Sequence, residues 1–347
     1  MKIPTTVITG FLGSGKTTLI RELLQNTEGK KIALIINEFG DLGVDGDILK
    51  GCGDETCSED DIMELSNGCI CCTVAEDFIP TLTKLLERDI KPDHIVIETS
   101  GLALPQPLIR AFNWPEISTQ VTVDSVITVV DGDAAHKGQF SSSLEAIEKQ
   151  REQDENIDHD TPISELFEDQ LACADLIIIN KSDLISISEM KSLRAELSLN
   201  TRAGVQIIQS TMGKVPSKIL LGQNVSAEKD IQSRHEIHHD HHHDDHHHDD
   251  HHHDDFESFI VTLPEITNQK EFIKRLERVI EDHGILRLKG FAAIKGKPMQ
   301  MTVQAVGPRI ETYFENSPNQ NNTRETKLVV IGHSGLNKDT ISNSLQG

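Results

Sequence analysis

The sequence predicts an α/β chain in which a mostly parallel sheet, covered by helices on both faces, is followed by a smaller α+β domain. Three observations carry this. Short β-branched runs from Val7, Ile32, Ile95, Val126 and Leu176 alternate with stretches of helical period such as "TTLIRELLQN" and "FIPTLTKLLERDI". The runs are apolar throughout rather than alternating, as strands buried on both faces are. After Leu221 the rhythm stops at "HHDHHHDDHHHDDHHHDD", and a new pattern begins at Phe256. At 347 residues the chain has room for two domains, and residues 1–221, 222–255 and 256–347 are the expected divisions.

The first strand, "TVIT", runs straight into "GFLGSGKTT", which fits the G-x-x-x-x-G-K-[ST] pattern before a helix continuing "LIRELL". This is a phosphate-binding loop. Gly10, Gly13 and Gly15 let backbone N–H groups turn inward around phosphates, with Phe11, Leu12, Ser14 and Thr18 completing the loop. Lys16 neutralises the β and γ oxygens, and Thr17 offers a hydroxyl to Mg²⁺. Because a strand precedes the loop and a helix follows it, residues 1–221 read as a P-loop domain.

The second strand is "KIALII", and beyond it lies "SNGCICCTV", with Cys69, Cys71 and Cys72 inside four residues. Cys69 and Cys71 face the same way in an extended segment, and Gly68 permits the turn that would bring Cys72 round. Three thiolates leave a fourth position open, which suits Zn²⁺ or Co²⁺ and suits transfer better than storage. A buried cysteine patch and a redox pair are the competing readings, and neither explains three thiols so close together. Cys52 and Cys57 lie in a polar loop just before, as auxiliary ligands or plain loop thiols, whereas Cys173 sits in an apolar context that reads as core.

The strand "HIVIETSG" ends in Glu98, with Gly101 three residues on. A carboxylate at that tip holds Mg²⁺ through water or orients the attacking water, and the glycine amide senses the γ-phosphate. His94, at the strand's start, reads as a hydrogen-bonded structural histidine. After the run from Val126, residues 132–161 are polar and rich in Glu, Gln and Ser, and read as an excursion of helix and loop or as partial disorder. "LIIINKSD" then puts Asn180, Lys181 and Asp183 at a strand's end. The Asp183 carboxylate accepts from guanine N1–H and its exocyclic amine, but adenine would leave it facing an acceptor, so GTP rather than ATP is the expected nucleotide.

The tract at 235–253 belongs to a segment holding twelve of the 17 histidines with interleaved aspartates, a composition that cannot bury a core and binds divalent metals loosely at many sites. It reads as a linker, either neutral in function or an auxiliary metal buffer feeding the cysteine site. From Phe256 the strand "FESFIVTLP", a helix around Lys270 to His283, strands in "GILRLKGFAAIKG" and "MQMTVQAVG", and a last strand "KLVVIG" before a short helix make the α+β domain. The formal net charge of −23 argues against a nucleic-acid partner and favours cations. No stretch approaches a membrane span, and six unevenly spaced cysteines give no disulfide framework, so the expected location is cytoplasmic.

With the phosphate loop, ETSG, NKSD and C-x-C-C in this order, the chain resembles the CobW family of P-loop GTPases and metallochaperones. The resemblance rests on "KIPTTVITGFLGSGKTTLIR", "NEFGDLGVDGDILKGCG", "ELSNGCICCTVAEDF", "HIVIETSGLALPQPL" and "LRLKGFAAI", and covers nearly the whole chain, His-rich linker included. It implies that Cys69, Cys71 and Cys72 ligate the cargo metal and that Asn37, Glu38, Phe39, Gly40 and Asp41 begin a switch segment. Where some relatives carry an acidic residue before that run, this chain has Ile36. The implied function is a GTPase, slow on its own and stimulated by a partner, that loads Co²⁺ in the Mg·GTP state and releases it on hydrolysis to a cobaltochelatase for cobalamin biosynthesis. A zinc or nickel chaperone or insertase of the same class and a non-enzymatic metal buffer are the alternatives.

Overall fold

The computed structural model describes residues 2–36, 62–64, 78–143, 147–148, 151, 162–202, 204–222, 256–297, 299–307, 309–315 and 325–346. These residues fall into two compact units, 2–222 and 256–346.

In the first unit seven parallel strands lie in the order β3-β2-β4-β1-β5-β6-β7. They are β1 (Ile3–Thr9), β2 (Ile32–Ile36), β3 (Ile62–Glu64), β4 (His94–Glu98), β5 (Val121–Asp131), β6 (Leu176–Asn180) and β7 (Gln206–Gln209). Helices α1 (Lys16–Gln25), α2 (Ile79–Leu86), α3 (Pro105–Ala111), α4 (Gly132–Ala135), α5 (Ile163–Cys173) and α6 (Ile187–Leu199) lie between them, and α7 (Ser217–Leu220) follows β7. Every residue of β2, β4, β5 and β6 is buried. Such strands need apolar cover on both faces, which is why the sequence carries unbroken runs there. On one face Leu82, Leu85 and Leu86 of α2 and Leu108 and Ile109 of α3 pack on Val7, Ile35, Ile95 and Ile97. Toward β6, Met190, Leu193 and Leu197 of α6 pack on Ile177 and Ile179. Each such side chain contributes about 1.5–3 kcal/mol.

The strand order decides where a ligand goes. The chain leaves β1 toward β2 and β3, returns to β4 beside β1, and then runs to the other side through β5, β6 and β7. A crevice opens outside the carboxyl ends of strands where the order reverses. Register sets the neighbours there: Ile8 is opposite Glu98, and Asp131 is opposite Asn180.

Five of these strands are legible as apolar runs. Strand β3, "IME", and β7, "QIIQ", are too short and too polar to show a period, so Glu98 closes the fourth strand in chain order and not the third. Of the polar segment after Gly132, α4 and residues to Ser143 are described, together with residues 147, 148 and 151.

The second unit is an antiparallel sheet in the order β11-β10-β9-β12-β8, formed by β8 (Phe256–Leu263), β9 (Arg287–Ala292), β10 (Gln300–Val306), β11 (Arg309–Glu315) and β12 (Thr326–His333). Helices α8 (Gln269–Asp282) and α9 (Lys338–Gln346) supply Phe272, Leu276, Ile280, Ile341 and Leu345 to its core. Asn268 caps α8, its Oδ1 accepting from the N–H of Lys270 (3.1 Å) and Glu271 (3.3 Å). Strand β11, "RIETYFE", which packs Ile310 and Phe314 against the core but breaks alternation at Thr312 and Tyr313, carries no clear strand signal between "VQAVG" and "KLVVIG". Among the described residues no helix is long and apolar enough to cross a membrane.

Candidate functional site

The turn from β1 into α1 is shaped by backbone that only glycine tolerates at two points. A Cβ on Gly10 (φ 135°) would lie 2.1 Å from the Val129 carbonyl oxygen, and one on Gly15 (φ 101°) would lie 2.1 Å from Asn180 Nδ2. Gly15 precedes α1 in the left-handed region with no side-chain cap, and the first turn of α1 holds no acidic residue. The helix therefore presents uncapped N–H groups and the positive end of its dipole to the crevice, an arrangement suited to phosphate. Lys16 is buried there, its ammonium donating to the carbonyls of Gly10 (2.8 Å) and Phe11 (3.3 Å). Beside it, the Thr17 hydroxyl donates to Glu98 Oε1 at 3.2 Å. Two oxygen donors this close, one anionic, fit Mg²⁺, which takes one or two protein oxygens alongside phosphate and water.

Asn180 joins this loop to the end of β6. Its Nδ2 donates to the Ser14 carbonyl (3.0 Å), and its Oδ1 accepts from the Gly213 N–H (3.1 Å). Lys181 follows in the left-handed region (φ 58°), with its ammonium 2.6 Å from Asp131 Oδ2. Asp131 is buried at the end of β5, and its Oδ1 accepts from the Ala134 N–H at the start of α4. Asp183 is exposed in the 3-10 turn Ser182–Leu184. That turn is held by the Ser182 N–H on the Ser210 carbonyl (3.1 Å) and by a 2.9 Å bond between the Ser182 and Thr211 hydroxyls. Past it, the Ser186 hydroxyl and N–H beside Glu189 hold that carboxyl below the usual carboxylate range, in a capping box that starts α6.

The wall formed by Ser210, Thr211 and Gly213 escaped the sequence reading, because nothing marks it except its place after β7. Two other features were also missed. The Ser141 hydroxyl donates to the Leu12 carbonyl at 2.7 Å, bringing the polar segment after α4 onto the phosphate loop. Behind the loop, Phe11 meets Phe140 (5.7 Å) and Phe167 of α5 (5.8 Å), in a cluster that includes Leu102 and Leu166. From the same helix, Gln170 donates to the Gly101 and Ala103 carbonyls.

Lys16, Thr17, Glu98, Gly101, Asn180, Lys181 and Asp183 thus meet around one crevice end of the sheet. Cys52, Cys57, Cys69, Cys71, Cys72, the switch residues Asn37 to Asp41 and the tract at 235–253 lie outside the described residues. Among the described residues no group of three His, Cys, Asp or Glu is placed to hold a metal. His94 is buried at the opposite, amino end of its strand, its Nε2 2.8 Å from the Thr6 hydroxyl. As Thr6 itself donates to the Leu220 carbonyl (3.3 Å), its oxygen accepts from His94, and the residue is structural as expected. Cys173 is buried in the core. An open cavity of about 750 Å³ lined by Glu22, Thr27, Glu28, Lys214 and Ser217 involves none of the residues that the sequence motifs single out for phosphate or guanine.

Residues 4–209 match the family described as CobW/HypB/UreG, nucleotide-binding domain, and residues 256–347 match the cobalamin synthesis protein cobW C-terminal domain. The zinc chaperone CobW of Sinorhizobium sp is 58% identical over 334 residues, covering 95% of this chain and 93% of its own. The zinc chaperone CobW of Pseudomonas aeruginosa is 50% identical over 349 residues, covering 99% and 91%. The crystal structure of Zn(II)-bound YjiA GTPase from Escherichia coli is similar at 22% identity with a TM-score of 0.41, covering 99% of this chain and 98% of that one.

Proposed function

This chain belongs to the CobW/HypB/UreG family of nucleotide-binding proteins, and from that premise we propose that it is a GTP-hydrolysing metallochaperone whose cargo is Zn²⁺. The observation that carries the nucleotide half is Asn180, which ties Ser14 of the phosphate loop and Gly213 of the turn after β7 to the end of β6, from which the chain enters the turn bearing Asp183. One side chain then couples the phosphate and guanine ends of a single ligand.

In this reading the N–H groups of Gly10 to Thr18 and the Lys16 ammonium hold the phosphates, while the Asp183 carboxylate selects guanine. Thr17 and Glu98 would hold Mg²⁺, which neutralises charge on the β and γ oxygens. The Gly101 N–H senses the γ-phosphate. Turnover is slow until a recipient protein stimulates it.

The metal half rests on Cys69, Cys71 and Cys72, with Asn37 to Asp41 as the segment that GTP orders and hydrolysis releases. The expectation of Co²⁺ delivered to a cobaltochelatase has only the family resemblance behind it. Two relatives at 58% and 50% identity carry zinc in their names, and thiolates prefer Zn²⁺ to Co²⁺, so zinc is the better-supported cargo. Divisions at 221 and 255 and a cytoplasmic site, where thiols stay reduced, belong to the same proposal.

Competitive Zn²⁺ and Co²⁺ titration with Mg²⁺ and either a non-hydrolysable GTP analogue or GDP tests it, beside a turnover assay with Lys16→Ala. Zinc affinity is expected to rise about 5- to 150-fold in the triphosphate state, and hydrolysis to vanish in the variant. Affinity indifferent to the nucleotide refutes the coupling. Tighter Co²⁺ than Zn²⁺ would return the cargo to cobalt.

A further inference from the structure

Helix α5 backs the phosphate site, and Gln170 on it does more than fill space. Its side chain is fully buried, and its Nε2 donates to the carbonyls of Gly101 and Ala103, each at 3.1 Å. Two carbonyl acceptors fix the orientation of the amide, because Oε1 in that place would face lone pairs. Oε1 therefore sits elsewhere and has no hydrogen-bond donor among the described residues. A buried amide oxygen without a donor is an arrangement that calls for an explanation.

The helix end of this contact is rigid. The Thr128 hydroxyl of β5 donates to the Gln170 carbonyl at 2.8 Å, and Phe167, one turn earlier, packs on Phe11 of the phosphate loop. The other end is the turn after Glu98, where the Thr99 N–H donates to the Ile8 carbonyl (3.0 Å), the Thr99 hydroxyl to the same carbonyl (3.5 Å) and the Ala103 N–H to the Ser100 carbonyl (3.1 Å).

We propose that Gln170 is a positioning residue for the Gly101–Ala103 turn. Its amide nitrogen holds the turn as described above, and its Oε1 is the acceptor that a backbone N–H of the turn takes up when Gly101 closes on a γ-phosphate. The proposal rests on the GTPase reading and adds to it a latch that distinguishes the two nucleotide states. The latch lies on the helix that leads through Cys173 directly into β6 and Asn180.

The test uses the full chain with Gln170→Met, which removes both polar atoms at similar length. Gln170→Glu keeps an acceptor but loses the donated bonds, and covers the case in which the apolar variant does not fold. Thr128→Val, which touches only the main-chain anchor, is the structural control. Affinities for a fluorescent non-hydrolysable GTP analogue and for GDP are measured with Mg²⁺, with thermal unfolding alongside. Gln170→Met, which lacks the acceptor, is expected to lose about tenfold in affinity for the analogue, equivalent to about 1.4 kcal/mol, while its GDP affinity stays within about twofold; Gln170→Glu, which keeps the acceptor, is expected to keep the ratio of the two affinities within about twofold of the wild type. Thr128→Val is expected to lower the melting temperature and leave the ratio unchanged. Equal loss for both nucleotides or no loss in folded Gln170→Met, or a selective loss of the analogue in Gln170→Glu, overturns the latch while leaving the GTPase reading standing. A wild-type protein that binds no GTP removes both.

Discussion

Asn180 provides the strictest test of how the site is assembled. It is 3% exposed, and each half of its amide meets a different segment: Nδ2 the carbonyl of Ser14, Oδ1 the N–H of Gly213. Asn180→Ala would leave that carbonyl and that N–H without partners in a buried position. Each unsatisfied group costs about 1–3 kcal/mol, so the pair sets a loss of about 2–6 kcal/mol. The vacated space borders the crevice, where water can enter and bond to both groups, which puts the expected loss in the lower half, about 2–4 kcal/mol. A domain of ordinary stability, about 5–15 kcal/mol, survives that. Urea unfolding without nucleotide reads the loss, and GTP affinity is expected to fall at least tenfold because the phosphate loop and the turn after β7 are no longer tied together. Asn180→Asp separates the two bonds: it keeps an acceptor for Gly213 but sets a carboxylate oxygen against the Ser14 carbonyl, so it is expected to be as damaging as alanine or more so. If Asn180→Asp unfolds and binds GTP like the wild type, the bond to Ser14 carries nothing and the clamp is wrong.

Two further outcomes follow from neighbouring contacts. Asp131→Asn leaves the Lys181 ammonium without its 2.6 Å anionic partner while keeping an acceptor for Ala134; affinity is expected to fall equally for GTP and GDP, with single-turnover hydrolysis of bound GTP unchanged, and a selective loss of GTP would contradict that. Because the Ser186 hydroxyl and then its N–H lower the Glu189 carboxyl in the folded state, the capping box stabilises above the ordinary glutamate range and fades as pH falls through the lowered value. The gap in urea midpoint between wild type and Glu189→Gln should therefore shrink from about pH 7 to about pH 4. His136, whose Nδ1 lies 3.7 Å from Glu189 Oε1, also helps to lower that carboxyl, so a His136→Gln background isolates the cap; a gap that grows on acidification there would refute the assignment.

What the sequence made legible is what short-range rules decide. Three glycines and a lysine at fixed spacing can only be a tight turn into a helix, and the fully buried runs of β2, β4 and β6 had to be apolar throughout. The structure adds the relations between motifs, and these come from register. Glu98 reaches Thr17 because β4 pairs with β1 at Ile8, and Lys181 reaches Asp131 because β6 pairs with β5 at Asn180. No local pattern announces Gln170, Ser141 or Gly213, because each acts through one or two polar contacts with a segment dozens of residues away or more. Gln170 reads in sequence as one polar position on an amphipathic helix, yet its partners are main-chain carbonyls that any residue would supply. Motifs therefore name the atoms that meet nucleotide, while the groups that hold those atoms in place bond to backbone, and backbone leaves no signature in a sequence.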